Sequence, residues 1–116
     1  MSKNKELGQE GEQLAADYLK KNGWEILKMN YRHSHSEVDL IGQKDDLLVF
    51  FEVKTRTNTA FGMPEDFVDE KKAESVIRAA NQYIQESDWK GNIRFDIISI
   101  VKKKGMELEH IEDAFY

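Results

Sequence analysis

Apolar positions recur along the chain with two different periods, and the switches between them predict the order of elements. From about Lys5 to Asn22, the residues Leu7, Leu14, Ala15, Tyr18 and Leu19 fall at helical spacing, and Asn22-Gly23 supplies a stop. Trp24 to Tyr31 holds Trp24, Ile26, Leu27, Met29 and Tyr31 in mixed alternation, which predicts a strand, and the polar stretch Arg32 to Ser36 predicts the turn after it. Glu37 to Gly42 alternates polar and apolar and reads as a second strand, with Gln43 to Asp46 as the turn that follows. Leu47 to Arg56 opens with a near-continuous apolar run, the pattern of a central strand covered on both faces. Thr57 to Phe67 contains Gly62 and the only proline, Pro64, and reads as an irregular loop of a length that often carries function. From about Asp69 to Ser87, the residues Ala73, Val76, Ile77, Ala80, Tyr83 and Ile84 predict a second amphipathic helix. Ile93 to Val101 is dense in β-branched residues and predicts another strand, parallel to the central one because a helix separates the two. Met106 to Ile111 adds a short antiparallel edge strand. The expected fold is α/β, a mixed β-sheet flanked by helices in the order α-β-β-β-α-β-β.

Composition narrows the class. A chain of 116 residues, 40% hydrophobic and 34% charged, has room for a single domain spanning residues 1–116 and enough apolar material for its core. Its longest apolar run, Leu47 to Phe51, is far too short to span a membrane, and the polar start from Met1 to Gln13 lacks the apolar stretch of a secretory signal. With no cysteine, a disulfide scaffold, a thiolate zinc site and a cysteine nucleophile are all excluded. A cytoplasmic protein without membrane attachment is expected. The net charge of −5 argues against coating nucleic acid by bulk positive charge. The excess is local, however: Glu107, Glu109, Glu112 and Asp113 lie in a base-free C-terminal segment, and the rest of the chain is close to neutral. A basic face elsewhere remains open.

The candidate chemistry starts from an acidic residue followed two positions later by lysine, a signature of many metal-dependent nucleases. It occurs four times here, and chance alone supplies about two or three in a chain so rich in acids and lysines. The occurrences that begin at Asp69, Glu70 and Asp88 lie in or beside the second helix, in polar surroundings. Only Glu52-Val53-Lys54 sits on the central strand, where alternation puts Glu52, Lys54 and Arg56 on one face and Phe51, Val53 and Thr55 on the other. A strand end emerging into solvent with ordinary ion pairs would account for that feature alone. The preceding strand adds Asp39, which a hairpin through Gln43 to Asp46 brings near Glu52. Two neighbouring carboxylates repel each other, and either a divalent cation or pairing with Arg32, Lys54 or Arg56 would remove that cost; Mg²⁺ typically takes one or two carboxylates plus water and phosphate. Glu12 is a third carboxylate, one turn from Gly8 and Ala15, so it borders the apolar stripe, and Gly8 and Gly11 allow close backbone approach.

The segments Gly8-Gln9-Glu10-Gly11-Glu12 with Ala15 and Tyr18, Asn30-Tyr31-Arg32, Glu37-Val38-Asp39-Leu40-Ile41, Phe51-Glu52-Val53-Lys54-Thr55-Arg56 and Arg94-Phe95-Asp96 together resemble the bacterial YraN family. One departure is Ser36, where family members usually have glycine, which bears on the turn before Glu37. The family in turn resembles the restriction-endonuclease-like superfamily, especially archaeal Holliday junction resolvases. That resemblance implies metal-binding carboxylates at Glu12, Asp39 and Glu52, a catalytic lysine at Lys54, Mg²⁺ or Mn²⁺ as cofactor, and hydrolysis of DNA phosphodiester bonds. It also implies nucleic acid, chiefly DNA, as partner and a homodimer acting on branched or structured substrates. Arg56, on the face of Glu52, and Lys71 or Lys72 at the start of the second helix are the candidates for flanking phosphates, against the plainer reading of solvated surface.

Other features are weaker. His33 and His35 would share a face with Glu37 and Asp39 on an unbroken strand and suit Zn²⁺ or Mn²⁺, but the polar residues around them favour a turn with exposed histidines. Lys102-Lys103-Lys104 reads as a solvated turn, and Trp24, Tyr31 and Trp89 as core aromatics, which leaves Phe61 in the long loop as the better base-stacking candidate. Two alternatives to a nuclease stay open: a nucleic-acid-binding module of the same fold without turnover, and a protein-interaction adaptor whose acidic C-terminus docks a basic partner.

Overall fold

The computed structural model describes residues 3–57, 69–102 and 104–115. Its elements are α1 (Lys3–Lys21), β1 (Glu25–His33), β2 (Ser36–Lys44), β3 (Leu47–Arg56), α2 (Glu70–Ser87), β4 (Asn92–Lys102) and β5 (Met106–Ile111). The strands form one sheet in the order β1-β2-β3-β4-β5, parallel only between β3 and β4. The expected order and the parallel crossover through the second helix are both present. The loop residues Phe61, Gly62 and Pro64 lie outside the described residues.

The two helices cover opposite faces, as the alternation of β3 requires. Val49, Phe51 and Val53 pack with Ala15, Ala16 and Leu19 of α1, whereas Leu48 and Phe50 pack with Val76, Ala79 and Ala80 of α2. Ten register pairs hold β3 to β4, from Leu47↔Asn92 to Arg56↔Val101, so β3 is fixed along its whole length. Each large apolar side chain buried here contributes about 1.5–3 kcal/mol, so a charged residue at the next position along the strand is a local exception.

The first hairpin is tighter than its polar sequence predicts. β1 continues to His33 and β2 begins at Ser36, leaving only Ser34 and His35 as the turn, with Ser34 at φ 58°. The strands extend this far because polar side chains on an edge strand stay solvated while the backbone keeps pairing, as in Arg32↔Glu37 and His33↔Ser36. His33 and His35 are exposed. Buried Ser36, the departure noted above, accepts a hydrogen bond from Arg78 Nε at 3.3 Å and so ties the start of β2 to α2.

Candidate active site

The β2–β3 ladder ends where the carboxylates begin. Leu40 pairs with Phe51, and beyond them the Val53 N–H is taken by the Asp39 side chain, which accepts it through Oδ2 at 2.8 Å. Strand alternation breaks at the same point. Leu40 packs on the α1 side of the sheet while Val38, two residues away, packs on the α2 side with Ile41. A regular strand would put Val38 and Leu40 on one face. Across from Asp39 on β1, Asn30 adopts a left-handed backbone with φ 54°, a conformation asparagine tolerates better than most residues. Asp39 therefore sits in the gap where β2 parts from β3.

Glu52 reaches this gap from the α2 side. It is only 4% exposed, and its Oε2 atom makes no hydrogen bond among the described residues. Lys72 of α2 places its Nζ 3.3 Å from that oxygen, a long charge contact. Burial, then the negative charge of Asp39 and hydrogen bonding to it, push the Glu52 carboxyl up to about 8, and Lys72 offsets part of the rise. Burial pulls the Lys72 ammonium down, yet Glu52, Asp39 and Glu37 together hold it above its ordinary value. The position of Lys72 follows from a helix cap: the Asp69 carboxylate accepts the Lys72 backbone N–H at 2.8 Å and starts α2 there.

Glu12 approaches from the other face. A Cβ placed on Gly11 would collide with Thr55 Oγ1, so α1 crosses β3 at glycine distance and delivers the next residue to the gap. Gly8, expected to share that role, has nothing within 4 Å of its would-be Cβ among the described residues. Burial and then the charge of Asp39 push the Glu12 carboxyl up, against a hydrogen bond from Asn30. Thus Asp39 is within electrostatic reach of both other carboxylates, with Glu12 on the α1 side and Glu52 on the α2 side.

This geometry brings Asp39 and Glu52 together and leaves Glu12 across the sheet plane. No three acidic or histidine side chains are gathered as a ready-made metal cage among the described residues. The donor set still suits a hard cation: two carboxylates, one with a buried oxygen lacking a hydrogen bond, match the one or two carboxylates Mg²⁺ takes before water and phosphate complete its shell. Lys54 and Arg56 are half-buried on the strand face of Glu52, and Lys71 is exposed beside Lys72 on α2. Arg32 pairs with Glu37 at 3.0 Å on the surface rather than with Asp39. Trp24 and Tyr31 pack against Phe51 and Tyr83, at ring distances of 5.5 and 5.4 Å, so both are committed to packing.

Two features were not legible beforehand as parts of a site. Asn30 turns out to bond Glu12, and its motif position was the only signal. The second is a buried cluster around Asp96, which is 0% exposed on β4. Arg94 donates to it through Nε and Nη2, both at 2.8 Å, His110 Nε2 lies 2.7 Å away, and the Asp113 N–H donates at 2.9 Å. Arg94 also holds Glu112 at 2.9 Å. An aspartate inside the apolar run Phe95 to Val101 was the available sign.

Fold and site define an α/β protein with a buried carboxylate pair at the point where two central strands part. The family is settled by comparison: the model of the uncharacterised protein family UPF0102 matches residues 11–100, and the chain belongs to that family, the YraN family of its sequence motifs. It is 44% identical to a UPF0102 protein of Christiangramia forsetii over 117 residues, covering 100% of this chain and 98% of that one. It is also 44% identical to a UPF0102 protein of Alkaliphilus oremlandii over 118 residues, covering 97% and 99%. UPF0102 protein FP2501 of Flavobacterium psychrophilum is 43% identical over 117 residues, covering 100% and 98%. None of the described helices is long and apolar enough to cross a membrane.

Proposed function

We propose that this protein is a metal-dependent endonuclease that binds DNA and hydrolyses its phosphodiester bonds, with branched or structured DNA as the preferred substrate. The observation that carries the reading is the Asp39–Glu52 pair, two buried carboxylates kept adjacent at an energetic cost, with one oxygen left without a well-aligned hydrogen bond among the described residues. Such groups cluster at functional sites. The motif-level similarity to restriction-endonuclease-like resolvases points the same way, as fold analogy.

Asp39 and Glu52 would hold Mg²⁺ or Mn²⁺, with Glu12, whose carboxyl feels the charge of Asp39, as the third acidic group beside them. A cation bound there supplies Lewis acidity that activates water and neutralises charge on the phosphodiester. The chain's own residues supply the rest. The Val53 N–H fixes the Asp39 carboxylate through Oδ2. Lys54, on the strand face of Glu52, orients the attacking water or stabilises the pentacovalent oxyanion. Arg56 and Lys71 hold flanking phosphates. Water forms the new P–O bond, the ester P–O bond breaks, and the proton leaves with the departing hydroxyl.

The absence of a three-group cage among the described residues favours one other reading, a DNA-binding module without turnover. Both are tested by incubating labelled duplex and four-way-junction DNA with Mg²⁺ or Mn²⁺ and wild-type, Asp39→Asn or Lys54→Met protein. Cleavage by wild type alone supports the nuclease. Salt-dependent binding with no cleavage in any metal leaves the binding module, and no binding at all removes both.

A further inference from the structure

Resting on that reading of the carboxylate pair, we propose that Lys72 is the site's resident counter-ion, displaced from Glu52 when a divalent cation binds and then free to hold a substrate phosphate. The lysine comes from α2 rather than from the acidic-x-lysine strand motif. Its Nζ is 3.3 Å from Glu52 Oε2, an oxygen that is buried and has no well-aligned hydrogen bond among the described residues. Lys72 therefore offers one long contact, which a cation replaces readily.

The two ends of the pair differ in their freedom to move. Glu52 is 4% exposed and sits mid-strand, with its neighbours on β4 in register, so it cannot follow a departing partner. The Lys72 side chain is 37% exposed, on a flexible stem at the first turn of α2. Its backbone N–H is fixed by Asp69, so displacement is a rotation of the side chain about a fixed anchor. An ammonium and a divalent cation at the same carboxylate repel each other. The ammonium, released towards solvent beside exposed Lys71, meets the side from which a phosphate backbone must approach. The device keeps the apo site charge-balanced and couples cation binding to the appearance of a new phosphate contact.

The test follows the lysine itself. In ¹⁵N-lysine spectra, the Lys72 ammonium signal, identified by its loss in Lys72→Met, is followed while Mg²⁺ is added to the full chain. A signal that moves to the free-lysine position as Mg²⁺ saturates is the expected result. Saturable Mg²⁺ binding with that signal unmoved overturns the displacement and leaves the cation site standing. No Mg²⁺ binding overturns the displacement and the metal-dependent reading together. For the released ammonium, duplex DNA binding is measured against salt with and without Ca²⁺. Lys72→Met should lower the log–log salt slope by about 0.9 with Ca²⁺ and leave it unchanged without. An equal change in both conditions, or none in either, overturns the phosphate contact.

Discussion

Glu52 and Asp96 lie on adjacent parallel strands, one register step apart, because Asp96 pairs with Phe51 and Ile97 with Glu52. Both are almost wholly buried, yet they face opposite sides of the sheet and are treated in opposite ways. Around Asp96, burial pushes the carboxyl up, but hydrogen bonds from His110, Arg94 and the Asp113 backbone outweigh it and hold the group below its ordinary value. At Glu52, burial and a second carboxylate act together, and a single loosely placed ammonium opposes them. A buried charge whose lone pairs are all met is part of the framework. One that is left short of partners is a place where a ligand can supply the remainder.

The sharpest way to break the comparison is to neutralise each carboxylate in turn. Asp96→Asn should destabilise the protein by about 3–5 kcal/mol in urea unfolding, since it breaks a buried charge network and loosens the docking of residues 110–115. A change below about 1 kcal/mol would remove the structural role of the cluster. Wild type should also lose this contribution in acid. The Asp96 carboxyl is held below 3.8, so its stabilisation is full above that value and disappears as pH falls through its lowered range.

Glu52→Gln should have the opposite sign. Because the folded protein holds the Glu52 proton from the ordinary value of 4.5 up to about 8, wild type loses stability as pH rises through that window. The substitution removes the penalty, so near the upper end of the window the variant should be more stable by about 2–4 kcal/mol, with the difference gone at the lower end. Equal pH profiles for variant and wild type would contradict the raised Glu52 carboxyl. At the helix crossing, Gly11→Ala should cost about 1–3 kcal/mol through its clash with Thr55, and Thr55→Ala should relieve part of that in the double variant, read by thermal unfolding. The smallest effect is expected from Asp69→Ala, about 0.5–2 kcal/mol from the lost cap of α2, with a weakened Lys72–Glu52 contact visible in the Lys72 ammonium signal.

What the sequence revealed follows from how local each signal is. The apolar run of β3, the helical period of α2 and the β-branched stretch of β4 are local patterns, and with the crossover rule they led to the correct element order and to the parallel β3–β4 pair. The hairpin between β2 and β3 is equally local and placed Asp39 beside Glu52. Lys72 reads from sequence as a candidate phosphate contact and not as a partner of Glu52; its place beside that carboxylate depends on where the crossover sets down the first turn of α2, which no local pattern encodes. Gly8 and Gly11 share a helix face by period, yet among the described residues only Gly11 comes against β3, at Thr55. The Asp96 cluster was the least legible, since its partners come from residues 94, 110 and 113 and meet only when β5 folds back along β4.

The measurement that tests the central claim most directly is a calorimetric titration of Mg²⁺ into wild type and the Asp39→Asn/Glu52→Gln double variant, with and without DNA. Saturable binding in wild type that vanishes in the variant is the predicted result. No binding to wild type even with DNA present, or equal binding to both proteins, would contradict the assignment of the carboxylate pair as a cation site.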